Sequence, residues 1–336
     1  MTRVEIVGHG VAGLCAAHAF AERGCAVTVV SRSSGLDATC TSWWAGGMLA
    51  PDCEMEAAEP LIGRLGAESV AFWTREAKVT AAGTLVVAAP RDAADLRRFA
   101  ARTANHERLE GRDVAALEPD LEGRFPAGLL FPGEGHLDPR ATLRAMAGRL
   151  AARGVVFETR EAGPPVPGRL RIDARGPAAR DVLADLRGVR GEILTLRTAE
   201  VRLTRTVRLL HPRWPIYVVP RGDGRYTVGA TEIESGEDGP PRVRGTAELL
   251  AAAVALHPSF AEAEILEIGA GLRPAFRDNL PRLRWRGGAL SMNGLYRHGF
   301  LCAPALARRA AEHALDGRHF PEVMDENRPE RTAASY

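Results

Sequence analysis

VEIVGHGVAGLCAAHAFAERGCAVTVV, residues 4–30, decides the fold. The apolar run at residues 4–7 reads as a buried strand, and it breaks at Gly8, Gly10 and Gly13. An Ala-rich, helix-forming stretch follows, and a β-branched run at residues 27–30 closes the unit. Strand, glycine turn, helix, strand is the setting in which G-x-G-x-x-G reports a dinucleotide site. Gly8 permits the tight turn, Gly10 lets the backbone approach a pyrophosphate, and Gly13 lets helix and strand pack closely. The helix start at Val11 and Ala12 presents N–H groups and a positive dipole end to the phosphates. Such units usually place Asp or Glu about 20 residues past the glycines to hold the adenosine ribose. This chain has Ser31 there, followed by Arg32. Ser31 keeps one hydrogen bond for a ribose hydroxyl. Arg32 admits two readings: a cation for a 2′-phosphate, which would mean NADP, or a solvated residue beside the adenine. The segments described next favour the second.

The chain has 336 residues, a formal net charge of +2 and 46% hydrophobic residues. That length and apolar content suit an enzyme of one large or two ordinary domains. The near-balanced charge implies neither nucleic acid nor an anionic membrane as partner. Arg greatly outnumbers Lys but is spread along the chain, which fits a coding bias rather than chemistry. The five cysteines (Cys15, Cys25, Cys40, Cys53, Cys302) are odd in number and form no C-x-x-C pair. Neither a disulfide framework nor a zinc site is expected, and no metal spacing is evident. Small buried residues in a reducing compartment are the expectation. No apolar run is long enough to span a bilayer. The first strand begins almost at once, without a basic, removable leader, so a cytoplasmic enzyme is expected.

Beyond the opening unit, residues 39–54 read as a Gly/Ala-rich loop, followed by helix to about Lys78. A strand is expected at 83–89, an exposed helix at 91–103 and a Gly/Pro loop at 129–139. A helix at 139–153 opens on Pro139 and ends at Gly154. Short strands at 155–158 and 170–174 flank the turn-rich GPPVPG. Then β character dominates, at 191–198, 201–210 and 216–220. The strand 226–230 pairs with the last of these across Gly222-Asp223-Gly224. Residues 232–243 form an acidic surface loop and 246–256 a helix. Strands at 265–271 and 289–292 precede a closing helix from Pro304 to about Ala314, and the charged tail after Phe320 is expected to be poorly ordered. The order gives an α/β fold class: a Rossmann-like nucleotide-binding domain interrupted by a mostly antiparallel β domain. Ligands in such folds sit at the carboxyl ends of the parallel strands.

Four further segments carry a family likeness. Ser42-Trp43-Trp44-Ala45-Gly46-Gly47-Met48-Leu49-Ala50-Pro51 resembles the flavin loop of the glycine oxidases of thiamine biosynthesis (the ThiO type), in the D-amino acid oxidase superfamily. Tyr217-Val218-Val219-Pro220-Arg221, with the hairpin running on to Thr231, is similar to that family's hairpin. Ala270-Gly271-Leu272-Arg273-Pro274 is similar to its substrate-arginine motif. Residues 293–301, NGLYRHGFL, are similar to its last flavin loop.

The resemblance implies a noncovalent FAD between a discontinuous FAD-binding domain (residues 1–75, 140–190 and 268–336) and a substrate domain (76–139 and 191–267). Thr41, Ser42, Gly46, Gly47 and Met48 would contact the flavin or its linker. Leu295, Tyr296, Arg297, His298, Gly299, Phe300 and Leu301 would meet the pyrimidine edge. The helix from Pro304 would aim its positive end there. Arg273 would pair the substrate α-carboxylate, because guanidinium matches it in two bonds and stays charged when partly buried; the competing view pairs it with Asp278. Tyr217 would add a phenol hydrogen bond, and Arg297 would line the pocket near the amine or carboxylate. Trp43, Trp44 and Tyr296 either narrow the pocket or pack in the core. The implied reaction is oxidation of glycine or another small amino acid by hydride transfer to flavin N5, giving imine and, with dioxygen, hydrogen peroxide. A homo-oligomer is the family habit. Two rivals remain: a dehydrogenase of the same fold with another electron acceptor, and a flavin-binding partner without turnover. Ser31 and the short region 158–170 beside the adenine weigh towards the latter.

Overall fold

The computed structural model describes residues 1–325. In chain order the first strands are β1 (Arg3–Val7), β2 (Ala26–Ser31), β3 (Met48–Leu49), β4 (Val79–Thr80), β5 (Thr84–Ala88) and β6 (Glu107–Glu110). Next come β7 (Ala127–Phe131), β8 (Gly135–Leu137), β9 (Val156–Thr159), β10 (Leu170–Asp173), β11 (Arg187–Arg197) and β12 (Thr206–Leu210). The last are β13 (Ile216–Gly222), β14 (Arg225–Gly229), β15 (Ile233–Glu234), β16 (Glu264–Ala275), β17 (Arg282–Arg286) and β18 (Ala289–Asn293). The helices are α1 (Val11–Glu22), α2 (Pro60–Glu76), α3 (Ala93–Arg102), α4 (Gly111–Leu117), α5 (Pro139–Ala152), α6 (Val243–Leu256) and α7 (Gly299–Asp316).

The first sheet has six strands in the order β17-β18-β10-β1-β2-β9, parallel except for the β17–β18 pair. β1, buried from Val4 onward, lies near its centre, and α1 and α7 pack together against it through Leu14, Phe20, Leu306 and Ala310, all fully buried. The glycine turn follows from contact distances. Gly8 has φ +107°, and a Cβ there would lie 2.5 Å from the Ala174 carbonyl oxygen. A Cβ on Gly13 would lie 1.8 Å from the Gly8 carbonyl oxygen, so strand and helix meet at a spacing that no side chain allows.

The second sheet has nine strands, β15-β11-β14-β13-β12-β5-β7-β6 with β16 paired to β11, and only its β12–β5 pair is parallel. The β13–β14 hairpin turns through Asp223 at φ 51° and Gly224 at φ 65°, as the Gly-Asp-Gly spacing predicts. Three local expectations are corrected. Residues 129–139 are not a loop: β7 pairs antiparallel with β5, and β8 pairs with β3 and β4, because Leu129, Phe131 and Leu137 have buried places to fill. The last helix starts at Gly299, not at Pro304, which sits inside it. Proline cannot donate to the carbonyl four residues back, and the buried indole Nε1–H of Trp73 donates to that Phe300 oxygen instead, at 2.6 Å. The chain just after Phe320 is ordered: Val323 and Met324 are buried, and Asp325 takes Arg282 and Arg284 at 2.6 Å each. Residues 326–336 of the expected tail lie outside the described residues.

The turn between β7 and β8 buries a carboxylic acid. Glu134 Oε1 accepts the N–H groups of Asp52 (3.0 Å) and Cys53 (2.7 Å), while Oε2 has no partner. Burial raises its pKa to about 7, with the Cys53 N–H opposing. A carboxyl whose folded pKa exceeds its unfolded value of 4.5 contributes stability that is present at low pH and lost as pH rises through the folded pKa. Glu134→Gln keeps the acceptor and removes the charge. Its stability relative to the parent should rise between pH 4.5 and about 7, by on the order of 3 kcal/mol, and level off above. Urea unfolding across that range checks this; parallel curves for the two proteins would refute it.

Candidate active site

A cleft of about 860 Å³ lies between the two sheets, and the candidate site residues read from the sequence line it, except Gly13, which packs beneath, and Trp43. One wall is formed by the carboxyl ends of β1, β2 and β10, the other by β11, β12, β13 and β16.

At the nucleotide end the helix cap is shared. Gly10 offers no side chain to α1, and Ser42 Oγ, from the distant loop, accepts the Val11 N–H at 3.1 Å. The Ala12 N–H has no intrahelical acceptor, as the second residue of a helix never does, and it borders the cleft. These features fit a pyrophosphate. Ser31 ends β2 and its Oγ accepts the Ser33 N–H at 3.2 Å. The short return from β9 to β10 is pinned rather than loose. Arg160, which borders the cleft, reaches buried Glu5 at 2.9 Å, and Arg171 donates to Glu5 at 2.7 Å and to the Gly163 carbonyl at 2.6 Å.

In the middle, a 3-10 turn, Thr41–Trp44, leads to Gly46 and Gly47. Thr41 Oγ1 donates to the Leu272 carbonyl at 2.9 Å, fixing the loop to β16. A Cβ on Gly46 would lie 2.8 Å from the Tyr217 ring. Gly47 has φ +69°, and a Cβ there would lie 2.3 Å from the Leu137 carbonyl oxygen. Arg221 ties these pieces together, donating to the Gly46 carbonyl (2.5 Å), the Leu137 carbonyl (2.7 Å) and Thr227 Oγ1 (2.9 Å). Burial draws its pKa down to about 10, with Asp138 opposing. Trp43 packs away from the cleft, whereas Trp44 borders it. Trp43 lies under Arg140 and Arg144, at 4.5 and 4.7 Å, and Trp44 fills the place that a side chain on Gly269 would take.

At the far end, β16 carries Arg273 in a slot that exists because residue 191 is glycine: a Cβ there would lie 2.0 Å from a guanidinium nitrogen. One nitrogen, NH1, donates to the Thr231 carbonyl at 3.1 Å. Among the described residues no carboxylate pairs with Arg273; Asp278 pairs with Arg282 instead. Burial lowers the Arg273 pKa, and Tyr217 opposes the shift. Tyr217 borders the same space, and burial raises its phenol pKa against the pull of Arg273. Arg297 is placed differently. It meets Glu232 at 3.0 Å and Glu54 at 3.9 Å. Glu54 also takes Arg208 and His298, each at 3.0 Å. Burial opposes the charge on Glu54, yet Arg208 and Arg297 hold its pKa well below the usual carboxylate value. His298 is the residue before α7, and its buried Nδ1 has no partner. Glu54, Arg208, Arg221 and Glu232 were not foreseen as site residues. Glu54 and Arg221 lie in segments that the sequence marks, but the partners of Glu54 are 154 to 244 residues away, and the two carbonyls that Arg221 holds are 84 and 175 residues away.

The orphaned His298 nitrogen, the N–H donors at α1 and the glycine-lined loop at 46–47 fit a large, flat, polar cofactor with a pyrophosphate. Among known proteins, the FAD dependent oxidoreductase family matches residues 3–313. A protein of Rhizobium etli assigned as the thiamine biosynthesis oxidoreductase ThiO is 48% identical over 328 residues, 95% of this chain and 98% of that one. A glycine oxidase of Bacillus licheniformis is 28% identical over 257 residues, 68% of each chain. The solved glycine oxidase of Bacillus cereus superposes with a TM-score of 0.82 at 22% identity, covering 98% of this chain and 100% of that one, a likeness of fold.

Arg221 gives a direct test of how the loop is held. Arg221→Met leaves two carbonyls and a hydroxyl without their donor, and should cost about 3 kcal/mol of stability in urea unfolding. It should also loosen FAD, read as cofactor lost on dialysis. A variant as stable and as yellow as the parent would show that the clamp is dispensable.

Proposed function

The chain belongs to the family of FAD dependent oxidoreductases, and on that footing we propose that it oxidises glycine, or another amino acid of similar size, to the imino acid for the thiazole branch of thiamine biosynthesis. The observation that carries this reading is the guanidinium of Arg273, part-buried, anchored by one nitrogen to a carbonyl and without a carboxylate of its own among the described residues. Such a group is built to receive an anion from outside the protein. The names of the relatives support an amino acid as that anion's source.

In this reading Gly8, Gly10, Val11, Ala12 and Gly13 hold the pyrophosphate, with Ser31 and Arg32 at the adenosine end. Thr41, Ser42, Gly46, Gly47 and Met48, with residues 295–301, hold the ring system. FAD, when bound, supplies the two-electron acceptor for the substrate's Cα–H and returns the electrons to dioxygen as hydrogen peroxide. The chain's own residues do the rest. The two remaining nitrogens of Arg273 grip the substrate carboxylate, and the Tyr217 hydroxyl donates to the same group. This fixes Cα against the ring, and orientation supplies much of the rate. Glu54 and Glu232 are both held as carboxylates by their neighbours, so they are weak bases, and the ammonium proton passes to water in the open cleft. The first turn of α7, at Gly299, places its positive end beside the ring site and favours negative charge there.

Purified protein loaded with FAD should be bleached by glycine in the absence of oxygen. No bleaching by glycine, sarcosine or alanine would end the proposal. Arg273→Ala should retain FAD and raise KM for glycine by about 100-fold, as expected for losing a charge-assisted pair. An unchanged KM would take Arg273 out of the site.

A further inference from the structure

Two guanidinium groups stand close together in the cleft, and the structure treats them in opposite ways. Arg273 has no acidic partner among the described residues, whereas Arg297 meets Glu232 at 3.0 Å and Glu54 at 3.9 Å. Glu232 is fixed from two sides. It follows Thr231, whose carbonyl anchors Arg273, and its other oxygen accepts the hydroxyl of Tyr296. Tyr296 sits at φ +48°, a region side-chain-bearing residues rarely occupy, and its N–H donates to the carbonyl of Pro274, the residue after Arg273. Two short paths, Thr231–Glu232 and Pro274–Tyr296, therefore hold the Glu232–Arg297 pair beside the unmatched arginine. The pair is not deep: its side chains are 45% and 34% exposed, so an incoming substrate meets it directly.

We propose that Glu232 is a specificity-determining residue that restricts the site to substrates with a single acidic group. This rests on the amino acid oxidase reading above. With Glu232 in place only Arg273 is available to an anion. A substrate bearing a second carboxylate near its amine would bring it against Glu232, or would have to displace Glu232 from Arg297 and Tyr296. The first meets like-charge repulsion, and the second leaves a carboxylate stripped of its partners; both are rejection by repulsion and unpaired charge. Glycine has nothing to place there. The class excluded is the amino dicarboxylates, of which iminodiacetate is an achiral probe, since it is glycine carrying one more carboxymethyl group on nitrogen.

The test uses the FAD-loaded enzyme with glycine and iminodiacetate as substrates, and reads the ratio of their kcat/KM values. Glu232→Gln keeps the shape and an acceptor for Tyr296 but removes the charge, and should raise the iminodiacetate-to-glycine ratio at least about tenfold. Glu232→Asp, which keeps the charge, should stay near the parent ratio. Adding Arg297→Gln to Glu232→Gln should abolish the gain, which a merely structural role would not do. Dead-end acids give a second readout that needs no turnover. Malonate should perturb the flavin spectrum of the parent no more tightly than acetate does, and that of Glu232→Gln at least about tenfold more tightly. An unchanged ratio in Glu232→Gln with FAD retained, or a gain that survives loss of Arg297, would overturn the proposal. Glycine oxidised by the parent with no shift in the variant defeats only this inference; no oxidation of glycine, sarcosine or alanine defeats the reading beneath it.

Discussion

A guanidinium drawn out of water without a carboxylate is a debt that the fold must carry, and Arg273 carries it at the centre of the cleft. The cost of removing such an ion from water is several kcal/mol when no partner repays it. The chain limits the cost in three ways. One nitrogen is satisfied by the Thr231 carbonyl at 3.1 Å. The slot is opened by Gly191, so that the group is not compressed. The phenol of Tyr217 stands nearby as a polar neighbour. What remains is a cation whose hydration is incomplete and whose geometry is set before any ligand arrives. Preorganisation of that kind is what makes an anion's binding energy usable for orientation rather than for rearranging the site.

Holding that cation opposite the glycine turn requires two sheets to keep a fixed relation, and the loop after β2 is tied directly to both. Arg221 joins β13 of the large sheet to the loop at Gly46 and to the end of β8, with three acceptors on one planar fork. Thr41 joins the same loop to β16, and Ser42 joins it to the first turn of α1. The loop at 41–47 is thus the keystone between the glycine turn, the large sheet and the strand that carries Arg273. It lies near residue 40 in the chain yet is positioned by residues 11, 221 and 272. Its glycines matter as clearances for Tyr217 and Leu137 as much as for any cofactor.

Much of this architecture was legible in the amino-acid order because its signals are local. Residues 4–30 carry strand, turn, helix and strand in a single uninterrupted pattern, and the β13–β14 hairpin announces itself through Gly222-Asp223-Gly224. What escaped depends on partners far away in the chain. β7 and β8 hide within a Gly- and Pro-rich stretch, because they are only five and three residues long and are interrupted by Pro132 and Gly133, and their pairing with β5 and β3 is long-range. Pro304 looks like a helix start, yet it sits inside α7, where Trp73, 227 residues from Phe300, takes over the stranded carbonyl. The segment after Phe320 looks like tail until Arg282 and Arg284 are seen to converge on Asp325. Likewise Glu54 and Glu232 are two among many acidic residues in the sequence; only the fold brings both to Arg297.

The two arginines of the cleft show why residue type alone underdetermines function. Arg273 and Arg297 both belong to motifs that resemble one family's, and both have the same donors and the same charge. Their chemistry differs because of what stands next to them. The strand register that places β16 against β11 sets Arg273 opposite Val189 and beside Gly191, where no carboxylate among the described residues pairs with it. The turn after β14 sets Glu232 against Arg297 and Tyr296, where an anion is already supplied. An arginine that is paired inside the protein is a structural cation, and one that is left unpaired is a receptor. The difference lies in the placement of a carboxylate on another strand, which is why a change at residue 232, in a segment that reads as an ordinary acidic loop, alters what the site accepts without touching either guanidinium.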